Sequence, residues 1–214
     1  MTRQALGLVA ALLVLGSASL VRAARPEPPS ETPVSPSSYD DYVGPYDYGG
    51  AVLTVTRDGD HLMAQLTGQP AFEIFPKGKD VFLWKVVEAE VTFARDGSGK
   101  VVKAMHRQGG QTIDAPRFEW PAVVKVDPQR YDDYVGKYDY GQGRVMTITR
   151  EGSGLFGQLT GQPKFEIFPK GEAEFFWKAV RAEVTFVRDA GRKVVKAVHR
   201  QGAATLDAPR VESP

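Results

Sequence analysis

One unit is written twice in this chain, as Tyr39–Arg117 and again as Tyr131–Arg210. The copies open YDDYVGPYDYG and YDDYVGKYDYG. They continue with QLTGQP at Gln65 and Gln158, FEIFPKG at Phe72 and Phe165, and AEVTF at Ala89 and Ala182. KVVKA follows at Lys100 and Lys193, and DAPR closes each copy at Asp114 and Asp207. From Ala51 and Arg144 onward the two align without a gap. Self-similarity on this scale constrains the fold first, because each copy must be a structural unit that the chain can build twice.

Each unit reads as antiparallel β. Short runs of β-branched and aromatic residues are separated by turn signals at the spacing of all-β barrels and sandwiches. In the first copy this predicts strands over Val43–Tyr48, Val52–Arg57, Leu62–Thr67, Phe72–Phe75, Val81–Val86, Ala89–Arg95, Val101–Arg107 and Thr112–Ala115. Asp58-Gly59 suits a tight hairpin, and Gly68-Gln69-Pro70 and Pro76-Lys77-Gly78 break the chain around the fourth strand. No segment has a useful helical period. Alternation places Leu62, Ala64 and Leu66 on one face of the third strand, Phe82, Trp84 and Val86 on one face of the fifth, and Ala89, Val91 and Phe93 on one face of the sixth. Eight strands in sequence order make a meander, and closing it removes exposed edges. A domain this small buries roughly 60–65% of its unfolded surface. Phe72, Phe75, Phe82, Trp84, Phe93, Met63, Leu53 and Leu66 compete for that interior, so a filled barrel is expected rather than a cavity.

Outside the repeats the chain changes character. Arg3 followed by the apolar run Ala5–Leu15 and the site Val21-Arg22-Ala23 reads as a signal peptide over residues 1–23, cut before Ala24. Export to the periplasm or medium of a bacterium, with no membrane span after cleavage, is therefore expected. Residues 24–38 are rich in Pro, Ser and Glu, the composition of a disordered linker. Repeat 1 is placed at 39–119 and repeat 2 at 131–214. The connector 120–130 holds Trp120-Pro121 and Val123-Val124, which suits packing against a barrel. The chain has no cysteine, which excludes disulfides, thiolate metal sites and cysteine nucleophiles. Its 27 basic and 26 acidic residues give no electrostatic case for nucleic acid.

Several motifs together carry a family resemblance: YVGxYxY, TVTR, LTGQPxFEIFP, the aromatic pair before Lys85 and Lys178, AEVTFxRD and GKV. They resemble a domain of unknown function usually found C-terminal to serine hydrolases of the β-lactamase/penicillin-binding-protein type. The resemblance covers nearly all of each repeat and implies two tandem small eight-stranded antiparallel lipocalin-like barrels. The family's seventh strand often ends Leu-His-Gln. Here it ends His106-Arg107-Gln108 and His199-Arg200-Gln201, so a histidine role at that step is not carried over. The hydrolase chemistry needs a serine with lysine three residues later, and no serine in this sequence has one. The resemblance thus implies a non-catalytic accessory or interaction module, acting with a separately encoded serine hydrolase or another protein partner. The alternative is a lipocalin-like binder of a small apolar ligand.

No catalytic residue, metal ligand set or cofactor is assigned. Gly97-Ser98-Gly99-Lys100 ends like a phosphate loop but lacks the first glycine and lies in a hairpin. Gly141-Gln142-Gly143 and Gly152-Ser153-Gly154 lack the partners of a dinucleotide site and a nucleophile elbow. His106 and His199 occur once per barrel, and His61 has no counterpart in the second copy, so no three-ligand metal site is assembled. Asp40-Asp41 and Asp132-Asp133 read as solvated starts of a strand rather than a calcium loop. Trp84 and Trp177 read as core, and Gln65 and Gln158 as outward-facing. Under the ligand-binding alternative, Trp84, Trp177, His106, His199, Gln65 and Gln158 are the candidate lining residues.

Overall fold

The computed structural model describes residues 34–211. The expected signal peptide, its cleavage site and the linker as far as residue 33 lie outside the described residues. In repeat 1 a 3-10 helix (Pro36–Asp41) leads into β1 (Gly44–Asp47), β2 (Val52–Asp58), β3 (His61–Leu66), β4 (Phe72–Gly78), β5 (Val81–Trp84), β6 (Ala89–Arg95), β7 (Val101–Gln108) and β8 (Gln111–Pro116). Repeat 2 has the same order: a 3-10 helix (Pro128–Asp133), β9 (Gly136–Asp139), β10 (Val145–Glu151), β11 (Gly154–Leu159), β12 (Phe165–Pro169), β13 (Glu174–Trp177), β14 (Ala182–Arg188), β15 (Val194–Gln201) and β16 (Ala204–Val211). Each set is an antiparallel meander in sequence order, and the all-β architecture of two eight-stranded units stands as expected. In repeat 2, β16 returns to β9, pairing Arg210 with Tyr138 and Val211 with Lys137, and the barrel closes. In repeat 1 the seam is narrower: one bridge joins Tyr46 to Arg117, and the Phe118 N–H reaches the Pro45 carbonyl at 3.2 Å. The chain peels away after Arg117 to reach the second barrel, which leaves β8 too short for a full ladder.

The interiors are filled, but partly by residues that strand alternation does not select. Leu53, Phe82, Trp84 and Phe93 are buried as expected. Tyr39 and Tyr42 join them from in and just after the 3-10 helix, where a period of two says nothing about direction, and Tyr46 joins them from β1. Tyr42 meets Phe82 edge-on at 5.0 Å between ring centres and Phe93 at 4.9 Å. Tyr134 repeats this with Phe175 at 5.3 Å and Phe186 at 4.7 Å. A buried phenol needs a partner for its hydroxyl. Tyr46 donates to the Tyr42 carbonyl at 2.7 Å, and Tyr138 to the Tyr134 carbonyl at 2.8 Å. The expectation that Phe75 and Met63 fill the core is corrected. Met63 follows its strand's parity outward, between Leu62 and Ala64, which are buried. Phe75 lies outside beneath the Lys85 ammonium, 3.4 Å from its ring centre. Val86 is corrected too: β5 stops at Trp84, and Val86 stands 60% exposed in the turn that follows.

The closing DAPR of each repeat has a structural task. The Arg117 guanidinium donates to the carbonyls of Asp41 (2.7 Å), Val101 (3.3 Å) and Val43. Arg210 does the same with Asp133 (3.1 Å), Val194 (3.2 Å) and Val135 (2.5 Å). This fork ties the 3-10 helix and first strand to the last strand by charge-assisted bonds. It also explains the glycine of YVG. Gly44 has φ +144°, and a Cβ there would sit 3.1 Å from Arg117 Nε, so both backbone and space call for glycine.

The segments before each barrel are part of it. Val34 packs on the first core and Ser35 caps the 3-10 helix, so the ordered unit begins before Ser38, where the composition places the end of the linker. Val126 and Asp127 take the same places in repeat 2. Between them Trp120 lies against Phe176, with ring centres 5.9 Å apart and planes at 28°. The Val124 N–H donates to the Pro169 carbonyl at 2.9 Å.

Candidate functional site

The 3-10 helix covers one end of each barrel, and a buried aromatic–histidine cluster lies at the other, termed the mouth for its place at the barrel end. At the covered end the 3-10 helix is held by ion pairs: Asp40 with Arg57 at 3.1 Å, Asp41 with Arg95 at 2.9 Å, and in repeat 2 Asp132 with Arg150 at 2.6 Å and Asp133 with Arg188 at 2.8 Å. The Asp-Asp pairs are therefore clamps on the barrel end rather than merely solvated starts of a strand. Repeat 1 adds Asp80, which accepts from Arg95 Nε at 2.9 Å and from the Tyr42 hydroxyl at 2.8 Å. Burial, then the bond to Asp80, pushes the Tyr42 phenol up to about 12. Ala173 stands at the equivalent place in repeat 2, where the Tyr134 hydroxyl donates to the Glu172 carbonyl instead. An open cleft of about 490 Å³ flanks the Asp80 clamp, lined by Val34, Ser35, Ser38, Tyr42, Lys79 and Arg95 as well.

The mouth gathers four of the six residues proposed for a ligand. Trp84 ends β5 on its inner face, and His106 lies on β7, paired in register with Val91 of β6. Their rings are 5.0 Å apart, and Tyr48 is 6.0 Å from the same imidazole. In repeat 2, Trp177 lies 5.3 Å and Tyr140 5.5 Å from His199. The two clusters differ in satisfaction. Tyr140 Oη and His199 Nδ1 form a hydrogen bond of 3.2 Å. In repeat 1, Tyr48 Oη and both His106 ring nitrogens are buried without a partner. Burial lowers the pKa of both imidazoles, so they are neutral near pH 7. It also raises the pKa of both mouth tyrosines, by desolvation alone.

Gln65 and Gln158 are not brought to the mouth. Both are exposed on the outer face, and each donates to a carbonyl four residues on, Gln69 at 3.0 Å and Gln162 at 3.1 Å, bracing the following turn. This corrects their place among the ligand-lining candidates. His61 is exposed and bonded to Glu73 at 2.6 Å. Among the described residues no three His, Asp or Glu side chains are gathered to hold a metal ion, and no helix is long and apolar enough to cross a membrane.

A second feature lies on the outside. The turn after β13 rests on repeat 1: the Thr67 hydroxyl donates to the Ala179 carbonyl, and Arg181 reaches Asp47 at 3.3 Å. The Arg181 guanidinium also lies 5.2 Å from the ring centre of Phe118, which meets Trp120 edge-on at 4.5 Å. Phe176 faces outward by strand parity, yet it is 1% exposed beneath this segment. Sequence reasoning assigned neither the mouth tyrosines nor Phe176. The signals present were the tyrosine density of the opening motif, and a tryptophan in the second connector that the first linker lacks.

Comparison with known proteins covers both repeats. Residues 28–116 and 121–208 each match the family described as a domain of unknown function (DUF3471). Over 97 residues the chain is 35% identical to "Penicillin-binding protein 4*" of Bacillus subtilis (strain 168), a match covering 43% of this chain and 21% of that protein. The chain thus spans about a fifth of the relative's length.

Proposed function

The chain belongs to the DUF3471 family in both of its repeats, and from that premise we propose that it is an exported accessory module that binds a serine hydrolase of the penicillin-binding type. The observation that carries this reading is the division of labour between inside and outside. Aromatic side chains fill both barrels, whereas one barrel's outer face is covered by the connector and the turn beside it rests on the other barrel. The similarity to a penicillin-binding protein supports the class of partner and the cell envelope or medium as the place of action. The module is proposed to be non-catalytic, because no serine in the sequence has the lysine that would assist acylation. The test is a pull-down with the full chain as bait from the native envelope fraction and medium, read by mass spectrometry. Enrichment of a β-lactamase-type or penicillin-binding hydrolase supports the reading; recovery of nothing beyond a blank resin defeats it. Purified protein is expected to leave β-lactams unturned and to take up no fluorescent penicillin or fluorophosphonate. Covalent labelling of a serine would show catalysis.

A second reading rests on the unpartnered Tyr48 Oη and His106 nitrogens beside Trp84. A buried polar group without a partner costs about 1–3 kcal/mol. A small, largely apolar ligand with a polar head would satisfy these groups at the mouth of repeat 1. Saturable quenching of tryptophan fluorescence by fatty acids, lost in a stable Trp84→Ala protein, would favour it.

A further inference from the structure

The face of repeat 2 that the connector covers has a counterpart on repeat 1 that differs in residues and carries no such cover among the described residues. In repeat 2 that surface is the outer face of β12 and β13 with the turn that follows. Trp120 lies on Phe176, the Val124 N–H bonds to the Pro169 carbonyl, and Arg181 spans Phe118 and Asp47. In repeat 1 the equivalent positions are Pro76, Leu83, Val86 and Glu88. Pro169 and Phe176 are buried, but Pro76 and Leu83 are half-exposed. Val86, at the place of Ala179, is the most exposed large hydrophobic residue among the described ones, at 60%. Glu88, at the place of Arg181, is exposed and makes no ion pair among the described residues.

The internal copy shows what fits such a surface: an extended segment laying an aromatic ring on the β5-type strand, and a charge opposite the turn. A second copy of this chain would present the repeat-2 counterparts of Thr67 and Asp47, which are Thr160 and Asp139, both exposed. That arrangement sets Glu88 against Asp139. Like charges face each other where the intramolecular contact pairs Arg181 with Asp47, and such juxtaposition disfavours a wrong partner. Exposed Val86 follows half-exposed Leu83 and stands two residues from Glu88, and a contiguous apolar patch rimmed by charge is the kind of surface that partners use.

We propose that Pro76, Leu83, Val86 and Glu88 form a docking surface for a protein partner that lays an extended aromatic segment on Leu83 and sets a basic side chain against Glu88. This deepens the accessory-module reading and rests on it for the class of partner. It makes repeat 2 the barrel that stiffens the pair and repeat 1 the barrel that recruits.

The probe is a capped peptide with the sequence of residues 117–125, carrying Phe118→Lys so that a cation takes the place where Phe118 lies beside Arg181. It is titrated into the isotope-labelled full chain and followed by amide chemical shifts. Perturbations are expected at residues 75–76 and 83–88, absent in Leu83→Lys and weakened about fivefold in Glu88→Gln, the scale of an exposed ion pair. No perturbation at millimolar peptide, or perturbation centred elsewhere, repeat 2 included, overturns the proposal. Self-association of the unaltered chain that Leu83→Lys abolishes also overturns it, since a second copy would then be the occupant. The hydrolase pull-down keeps the two readings apart. A hydrolase recovered equally well by Leu83→Lys keeps the accessory role and overturns this surface. No hydrolase but an intact peptide response supports the surface and defeats the accessory role.

Discussion

Trp84 and Trp177 occupy equivalent inner positions, yet their surroundings differ, first in the residue that faces the indole. Gly157 stands across from Trp177 where Ala64 stands in repeat 1, and a Cβ at Gly157 would come within 3.1 Å of the indole. Trp177 accordingly sits deeper, and its histidine partner is bonded to Tyr140. Truncating a buried large aromatic costs about 3–5 kcal/mol. Trp177→Ala should lower the unfolding free energy of repeat 2 by that amount in urea titrations, and Trp84→Ala that of repeat 1 by somewhat less. Loss of fatty-acid quenching with stability intact would instead mark a ligand contact. The histidines set a pH dependence. Burial holds His106 and His199 neutral and lowers their folded pKa below the usual 6.5, a value the unfolded chain regains. As pH falls through 6.5 the unfolded state gains protons that the folded state refuses. Stability present above that pH is therefore lost until the folded pKa is passed. His61 has the opposite sign, because Glu73 raises its pKa, but it is exposed. Thermal midpoints should fall between pH 7 and 5, and His199→Phe should flatten the fall for repeat 2. An unchanged slope would remove the imidazole from the account.

At the scale of elements, the connector behaves as part of repeat 2. Trp120 covers Phe176, and Val124 bonds to the edge of β12. A fragment starting at residue 125 keeps every strand of the barrel, Val126 and the Asp127 cap but uncovers Phe176, an apolar loss of the order of 1.5–3 kcal/mol. Fragment 118–214 is expected to fold cooperatively and to melt several degrees above fragment 125–214. Equal melting would make the connector a passive tether. Repeat 1 keeps its single-bridge seam between β1 and β8, in contrast to the two paired positions joining β9 and β16. The Arg117 fork compensates by holding carbonyls on both sides of that seam.

For the whole molecule, magnitudes decide which contact fixes the two barrels. Arg181 and Asp47 form a single bond at 3.3 Å with the arginine 59% exposed, and such a pair contributes about 0–1 kcal/mol. The Trp120–Phe176 contact excludes far more apolar surface. Nitrogen-15 relaxation should report one tumbling body for the native chain and for Arg181→Ala, and two more independent bodies for Trp120→Ala. Independent tumbling of the native chain would contradict the shared interface. A rigid pair presents the free face of repeat 1 in one fixed direction, which lowers the ordering cost of binding a partner there.

Sequence alone determined the duplication, the all-β class and nearly every strand, including β2 and β6 to within a residue or two of their ends. Those features follow from period-two alternation and from the turn chemistry of Asp58-Gly59 and Gly68-Gln69-Pro70, which are local properties. It also placed Trp84 and Trp177 inside, because large aromatic rings bring most of the burial in a small domain. Tertiary structure decided what parity does not reach. Tyr39 and Tyr42 turn inward from a 3-10 helix with no period of two. Phe75 and Phe176 share an outward parity, yet one lies under a lysine and the other under Trp120. Gln65 and Gln158 brace turns, and the two mouth clusters differ in whether Tyr and His find each other. Each of these outcomes depends on which distant segment covers a given face, and local periodicity carries no information about that.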